Sequence, residues 1–277
     1  MVVVGPGKDH ENKIYMTSLL NNLKIEEIIL KNKPHSSSFV FRHLPVGMGI
    51  VLGNYLRHFL LKYTSGIAPL GAKISDKNGP VKVEASVLAG VEEVTPYLII
   101  NLKEIIVETK KKKEGMFYLE LKAENKEKKS KIITAGDFQK DKEVEIKNPD
   151  LYLATLAAST GDKENPRLEI KLYFQKNWGY HEEEEQEKKY FAEEEDVIAF
   201  DTDYSPIKGG SVNFKVNSQV ISQKNAEEEL VLTITTNGAI APRKALQETL
   251  ELSKNSFSSI TELINSGKKQ KITTETK

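Results

Sequence analysis

The chain has 277 residues, enough to bury a core in one large domain or two small ones. Its 40 basic and 40 acidic side chains cancel, which disfavours a protein that binds nucleic acid by neutralising phosphates. It contains no cysteine, so disulfides, thiolate metal sites and cysteine nucleophiles are excluded.

Residues 1–22 show weak periodicity and are expected to be loosely held. Two strands follow, Leu23 to Leu30 and Phe39 to Leu44. The segment between them contains a proline and three serines, which break a strand ladder. The two strands are therefore predicted to form a hairpin.

A helix is predicted from about Ile50 to Tyr63, after a turn in which Gly47 and Gly49 provide backbone freedom. Its apolar side recurs every three or four residues, at Leu52, Leu56, Leu60 and Tyr63. This spacing predicts one buried helical face.

From residue 67 to residue 196 the sequence changes to short strands, one helix and two charge blocks, which indicates an inserted subdomain. Thr95 is predicted to cap the helix, with Pro96 at its first position. Strands are predicted near residues 117–123, 130–134, 143–147 and 168–175.

The last third returns to strand alternation, and two strands here are predicted to pair antiparallel with the first hairpin. Their alternating apolar positions are Val212, Phe214, Val216 and Leu230, Leu232, Ile234. A long helix follows, with an apolar stripe at Leu246, Leu250, Phe257, Ile260 and Ile264. Residues 266–277 form a polar tail. The expected fold class is α+β, an antiparallel sheet with two packing helices plus an inserted, mainly β subdomain.

Five motifs carry a family resemblance. In the first helix Gly47, Gly49, Leu52, Gly53, Asn54, Leu56, Arg57, Leu60 and Leu61 match, position by position, a pattern of the bacterial and plastid RNA polymerase α subunit, which the chain resembles. The further matching segments, in order, are Gly90-Val91-Glu92 with Asn101-Leu102-Lys103, Thr134-Ala135-Gly136-Asp137, Tyr204-Ser205-Pro206-Ile207 and Thr236-Asn237-Gly238. The resemblance covers roughly residues 23 to 264. Two family arginines are replaced, by His58 and by Trp178.

The resemblance implies a dimerisation subdomain formed by residues 23–66 and 197–265, with residues 67–196 inserted. It implies a homodimer that serves as the assembly platform for the β and β′ catalytic subunits, within a nucleotidyltransferase. This chain would carry no catalytic residue, metal or cofactor, and Mg²⁺ is expected on β′. Little or no DNA contact is expected, since the sequence ends where full-length relatives continue into a DNA-binding domain.

The resemblance also implies two sets of contact residues. The helices at 50–63 and 246–264 form the dimer interface in the family, which assigns Leu52, Leu56, Phe59, Leu60, Leu246, Leu250 and Phe257 to it. Contacts with the large subunits are carried over to Arg57, His58 and Leu61, facing β, and to Lys103, facing β′. Read without the resemblance, the apolar stripes are ordinary core and Arg57-His58 is an exposed basic pair.

Other polar clusters favour ordinary surface interpretations. Lys110 to Lys113 fits a solvated hairpin tip better than a phosphate site. The acidic run after His181 lacks the second histidine of a zinc protease motif and is expected to be a solvated loop. Asp201 and Asp203 form no larger carboxylate constellation. Two alternatives stay open: a dimeric, non-catalytic adaptor that has drifted from transcription, and a hydrolase or transferase within the inserted subdomain.

The compartment is suggested by coding bias rather than by chemistry. Arginine occurs only at positions 42, 57, 167 and 243 while lysine is abundant, as in an A/T-rich organellar or reduced genome. No apolar run approaches the roughly 20 residues that cross a bilayer, and no secretion signal or transit peptide is expected. The plastid stroma is the expected location, with the bacterial cytoplasm as the alternative.

Overall fold

A computed structural model describes residues 22–109, 115–161, 165–194, 196–222 and 225–266. These residues form an α+β fold in which every paired strand is antiparallel, which confirms the predicted class. Three predicted segments lie outside the described residues: the N-terminal segment up to residue 21, the lysine run at 110–113, and the tail from residue 267.

The first body is built from both ends of the described chain. Its elements are β1 Lys24–Ile29, β2 Ser36–Pro45, α1 Met48–Tyr63, β14 Val212–Ser222, β15 Asn225–Thr235 and α4 Pro242–Asn265. The inserted body contains β3 Gly66–Asp76, β4 Gly79–Val81, α2 Thr95–Lys103, β5 Val107–Thr109, β6 Phe117–Glu124, β7 Lys131–Thr134, β8 Val144–Ile146, β9 Tyr152–Leu156, β10 Arg167–Asn177, β11 Tyr180–His181, α3 Glu183–Gln186, β12 Ile198–Ala199 and β13 Thr202–Asp203.

The sheet of the first body has the strand order β1-β2-β15-β14. The predicted hairpin is confirmed, and the two late strands pair with it as expected. The strand β2 begins earlier than predicted because its serines do not break the ladder. Ser36 and Ser38 pair through their hydroxyls with Thr235 at 2.7 Å and Thr233 at 2.9 Å, while Phe39 lies in the core.

Helix α1 lies very close to this sheet. Gly47 precedes it with a φ of 85°, a conformation that favours glycine, and so confirms one of the two predicted flexible positions. Gly49 lies inside the helix instead, and Gly53 faces the ring of Phe214. Glycine is needed at position 53 because a Cβ atom there would stand 2.5 Å from that ring.

A buried carboxylate satisfies the start of α1. Glu228 on β15 accepts hydrogen bonds from the backbone N–H of Gly47 at 2.9 Å and of Gly49 at 2.8 Å. A negative charge at this position also complements the positive end of the helix dipole. Since no side chain of the helix's own N-cap residue provides a cap, the strand anchors the helix instead.

We expect Glu228→Gln to lower the free energy of unfolding by about 1–2 kcal/mol, because one buried N–H then faces an amide donor instead of an acceptor. Urea unfolding followed by circular dichroism measures the change. The matched control is Glu251→Gln on the exposed side of α4, which should leave the midpoint unchanged. Equal midpoints for the two variants would contradict the anchoring role.

The inserted body is arranged around the strand order β12-β3-β10-β6, with β4 added on β3. The predicted boundary at residue 196 is wrong, because Ile198 and Ala199 pair with Ala72 and Gly71 of β3. The chain runs along the inserted sheet once more before it re-enters the first body. The insertion therefore extends to about residue 204.

The predicted cap of α2 is also wrong. Thr95 is the first helical residue, and its hydroxyl donates to the carbonyl oxygen of Ser86 at 2.7 Å rather than capping the helix. Pro96 consequently occupies the second helical position, which also tolerates the missing N–H. By contrast the Thr134-Asp137 turn forms as a capping box, in which Asp137 accepts from the Thr134 N–H at 2.8 Å.

Candidate assembly surfaces

Helix α1 presents three different sides. The side against the sheet consists of Gly49, Gly53, Leu56 and Leu60, all buried. A second, half-buried side carries Leu52, Tyr55 and Phe59 and ends at exposed Tyr63. The third side faces solvent and carries Ile50, Val51, Asn54, Arg57 and His58, with Leu61 half-buried beside it. We call this third side the basic face.

Three residues assigned to the dimer interface belong to the protomer's own core. Leu56 and Leu60 have no exposed surface and Leu246 is 5% exposed, because all three pack against the sheet. They offer no surface to a second copy, so their assignment is corrected. Leu52 and Phe59 are half-buried, while Leu250 and Phe257 are 41% and 56% exposed. These four remain predicted interface residues.

Helix α4 extends beyond the body that it packs on. Its buried residues end at Ser253, and after that residue only Ser256 is even partly buried. We call residues 254–265 the arm, which at 1.5 Å per residue is about 18 Å long. It carries four exposed large apolar side chains, Phe257, Ile260, Leu263 and Ile264.

The apolar side of the arm continues the side of α4 that packs against the first body of its own protomer. Leu246, Thr249, Ser253, Phe257, Ile260 and Ile264 follow one another at spacings of three or four. The first part of this stripe is covered by the protomer, and Phe257 still contacts Tyr55 with ring centroids 5.8 Å apart. The rest is unpartnered among the described residues, as expected of a surface that another chain covers.

Lys103 is the last residue of α2 in the inserted body, whereas the basic face lies on α1 in the first body. It is exposed, and Tyr97 and Ile100 on the same helix are 64% and 56% exposed. The far side of α2 is held in place, since Asn101 donates to the carbonyl of Leu153 at 2.9 Å. The sequence identified Lys103 but not the apolar residues beside it, although their spacing of three was visible.

Comparisons with known proteins match both bodies. Residues 72–205 match the family model of the RNA polymerase Rpb3/RpoA insert domain, which agrees with the observed insertion. A DNA-directed RNA polymerase subunit alpha from Symbiobacterium thermophilum is 34% identical over 246 residues, covering 86% of this chain and 70% of that protein. The chain belongs to the family of RNA polymerase α subunits.

Two other α subunits are similar to the chain over a comparable range. The protein from Thalassiosira pseudonana is 32% identical over 244 residues, 88% of this chain and 71% of its own length. That from Thermus aquaticus is 32% identical over 220 residues, 79% of this chain and 64% of its own length. Membership makes this chain an α subunit of a nucleotidyltransferase complex that acts in transcription.

A cleft opens where the two bodies of this α subunit meet. It has a volume of about 810 Å³ and lies between the end of α1, the middle of α4 and the turn after β10. Its apolar walls come from Phe59, Tyr63, Trp178 and Leu252, with Lys176 at the rim. The sequence did not reveal this cleft, because its lining residues are far apart along the chain.

Carboxylates near the junction hold the local structure together. Asp201 accepts from the Glu183 N–H at 2.9 Å, and Asp203 accepts from the Ser205 N–H at 3.0 Å. The run after His181, expected to be a loop, begins α3, and His181 contacts Glu185 at 3.2 Å. In the described part of the chain no three histidine, aspartate or glutamate side chains group as metal ligands.

Tyr204, in one of the family motifs, is part of a buried hydrogen-bond chain. Its phenol is buried and donates to the side-chain oxygen of Gln186 at 2.8 Å, while Gln186 donates to the carbonyl of Phe200 at 2.9 Å. Burial raises the pKa of the Tyr204 phenol, so it stays neutral.

Across the described ranges no helix is both long and apolar enough to span a bilayer.

Proposed function

We propose that this α subunit homodimerises and serves as the assembly platform for the β and β′ subunits of a DNA-directed RNA polymerase. The observation that carries the proposal is that the first body exposes both an apolar arm and a separate basic face. In a two-fold dimer held together by the arms, every surface outside the interface is present in two copies. Two unlike large subunits then each bind one copy.

The proposed division of surfaces follows the exposed side chains. The basic face, with Arg57, His58 and half-buried Leu61, binds β, and the exposed surface around Lys103 binds β′. Each surface combines a basic side chain with exposed apolar ones, and Arg57 on the basic face and Tyr97 beside Lys103 are of the residue types that are enriched in protein interfaces. The chain itself provides no catalytic group in this proposal, and Mg²⁺ for nucleotide addition is held by β′.

Arg57→Ala is expected to lower the recovery of the β subunit at least about tenfold, because an exposed guanidinium can make a two-pronged contact with a carboxylate. Co-purification from cells that express the tagged variant measures this recovery. The fold should be unaffected, since the side chain is exposed. Lys244→Ala, an exposed lysine on α4 outside the basic face, serves as the matched control.

Substitutions of His58 test whether the surface of β has adapted to a histidine in place of the family arginine. If imidazole retains a role, His58→Ala lowers the recovery of β while His58→Arg preserves it. Recovery that is unchanged in both Arg57→Ala and His58→Ala contradicts the assignment of the basic face to β.

The whole proposal is tested by affinity purification of the tagged chain, followed by mass spectrometry of the bound proteins. Two large subunits are expected, in a complex much heavier than the dimer. Purification of the dimer alone would instead support a dimeric adaptor that has drifted from transcription. The replacement of two family arginines, by His58 and Trp178, is the observation that favours this second candidate.

We also propose that the chain acts in the plastid stroma. The lysine-rich, arginine-poor composition supports an A/T-rich organellar genome. Fractionation of cells that contain the protein, with an antibody against the chain, tests this location. Recovery outside the plastid fraction would contradict it, and a bacterial origin would place the protein in the cytoplasm.

A further inference from the structure

We propose that the cleft at the junction receives the α4 arm of a second copy of this chain, with Trp178 as its anchor. The inference rests on the proposed homodimer and adds the inserted body to its interface. Self-association would then involve both bodies of each protomer rather than the two helices alone.

The size of the cleft matches the arm. The apolar residues of the arm run from Phe257 to Ile264, which is about two helical turns, and two turns of a helix with side chains occupy on the order of 1,000 Å³. The cleft measures about 810 Å³. Phe59, Tyr63, Trp178 and Leu252 give the cleft an apolar part, and the exposed large side chains of the arm are also aromatic or aliphatic.

The arm cannot fill the cleft of its own protomer. Glu248, Thr249, Leu252 and Ser256 of α4 form one wall of the cleft, so the same helix runs past it and away. A second copy has no such constraint. Because each protomer has one arm and one cleft, two copies related by a two-fold axis fill each other's clefts and close the assembly.

The area is sufficient for a specific dimer. Each large apolar side chain of the arms buries on the order of 80 Å², and the clefts lose a similar area. Two arms and two clefts together remove on the order of 1,300 Å² from water, which lies within the range of stable interfaces.

Trp178 is exposed on a hydrogen-bonded turn. It is 59% exposed, and hydrogen bonds fix the turn that carries it. The Trp178 N–H donates to Asn177 Oδ1 at 3.0 Å, its carbonyl lies 3.2 Å from His181 Nε2, and the Tyr204 N–H donates to the Gly179 carbonyl at 2.9 Å. Because the backbone of this turn is already ordered, binding costs less backbone entropy there, and exposed tryptophans are common interface anchors.

The composition of the chain provides two direct tests. Trp178 is its only tryptophan, so emission excited at a wavelength that the ten tyrosines do not absorb reports on Trp178 alone. We expect the emission maximum to shift to shorter wavelength as the dimer forms on concentration. The variant Ile260→Asp/Ile264→Asp should not show this shift.

The absence of cysteine allows unambiguous crosslinking. A Trp178→Cys chain mixed with a longer-tagged Ile260→Cys chain should form a disulfide-linked heterodimer under mild oxidation. The control uses Tyr180→Cys in place of Trp178→Cys; Tyr180 is also exposed but does not line the cleft, so this variant should not crosslink. Trp178→Ala should raise the dissociation constant of the dimer at least about tenfold, with Tyr180→Ala unchanged.

The outcomes separate this inference from the proposed homodimer. A wild-type chain that is monomeric at micromolar concentration overturns both. A stable dimer with no crosslink and no fluorescence shift overturns only the role of the cleft. The same holds if the Trp178→Cys chain is protected from thiol reagents but forms no crosslink with the Ile260→Cys chain, since another segment or subunit then occupies the cleft.

Discussion

Replacing Ile260 and Ile264 together by aspartate is expected to convert the dimer into monomers, with a dissociation constant raised about 100-fold or more. Both side chains are exposed in the protomer, at 51% and 74%, and lie on the apolar side of the arm. A carboxylate buried without a partner in an apolar interface costs several kcal/mol, far more than the loss of the methyl groups. Light scattering across a dilution series measures the change.

The control places the same two charges on the opposite side of the arm. Asn255 and Ser258 are exposed and lie away from the stripe of Phe257, Ile260 and Ile264, so Asn255→Asp/Ser258→Asp should remain dimeric. Both variants should keep the circular dichroism spectrum of the wild type, because the arm is not part of the protomer core. Dissociation by both pairs would show an effect of net charge and contradict a one-sided interface.

Gly53→Val is expected to lower the free energy of unfolding by about 2–3 kcal/mol. The added side chain would meet the ring of Phe214, whose nearest carbon lies 2.5 Å from the Cβ position, and a packed core resists such insertion. Valine is the better helix former of the two, so the expected loss is a packing effect and not a propensity effect. Urea denaturation measures the loss.

Asn54→Val, on the exposed side of the same helix, is the matched control and should change stability by no more than about 0.5 kcal/mol. A double-mutant cycle identifies the contact. Phe214→Ala opens space beside Gly53, so the combined variant should lose less stability than the sum of the single losses. Additive losses would mean that Gly53 and Phe214 are not in contact.

Most of the elements in the first body could be predicted from the sequence, because their signals are local. Alternation in β14 and β15 and the three-to-four spacing in α1 and α4 each mark one apolar face through the spacing of neighbouring residues alone. The bounds were less secure where side chains meet across strands. Ser36 and Ser38 break a ladder in a turn but join one when threonines lie opposite them.

The inserted body was predicted less well for the same reason. The three-residue strand β5 was not predicted, because it is too short to show periodicity and is defined by its pairing with β8. The end of the insertion was misplaced because Ile198–Ala199 is defined by its pairing with β3, which lies far earlier in the chain. The Thr95 cap failed because a distant carbonyl, that of Ser86, competes for its hydroxyl.

The candidate site residues were likewise predictable only where the signal was local. Arg57, His58 and Lys103 were identified through ordered motifs, and their exposure agrees with a contact role. The interface residues could not be separated from core residues, because a leucine stripe has the same spacing whether its own sheet or another chain covers it. Leu56 and Leu250 differ only in what lies opposite them in space.

The sequence by itself determined the family, the α+β class and the order of strands and helices in the first body, because motifs and periodicity are properties of neighbouring residues. Only the tertiary structure decided which apolar residues belong to the protomer's core, where the insertion ends, and that an arm and a cleft are left over. Burial depends on residues brought together from distant parts of the chain, and no local pattern contains that information.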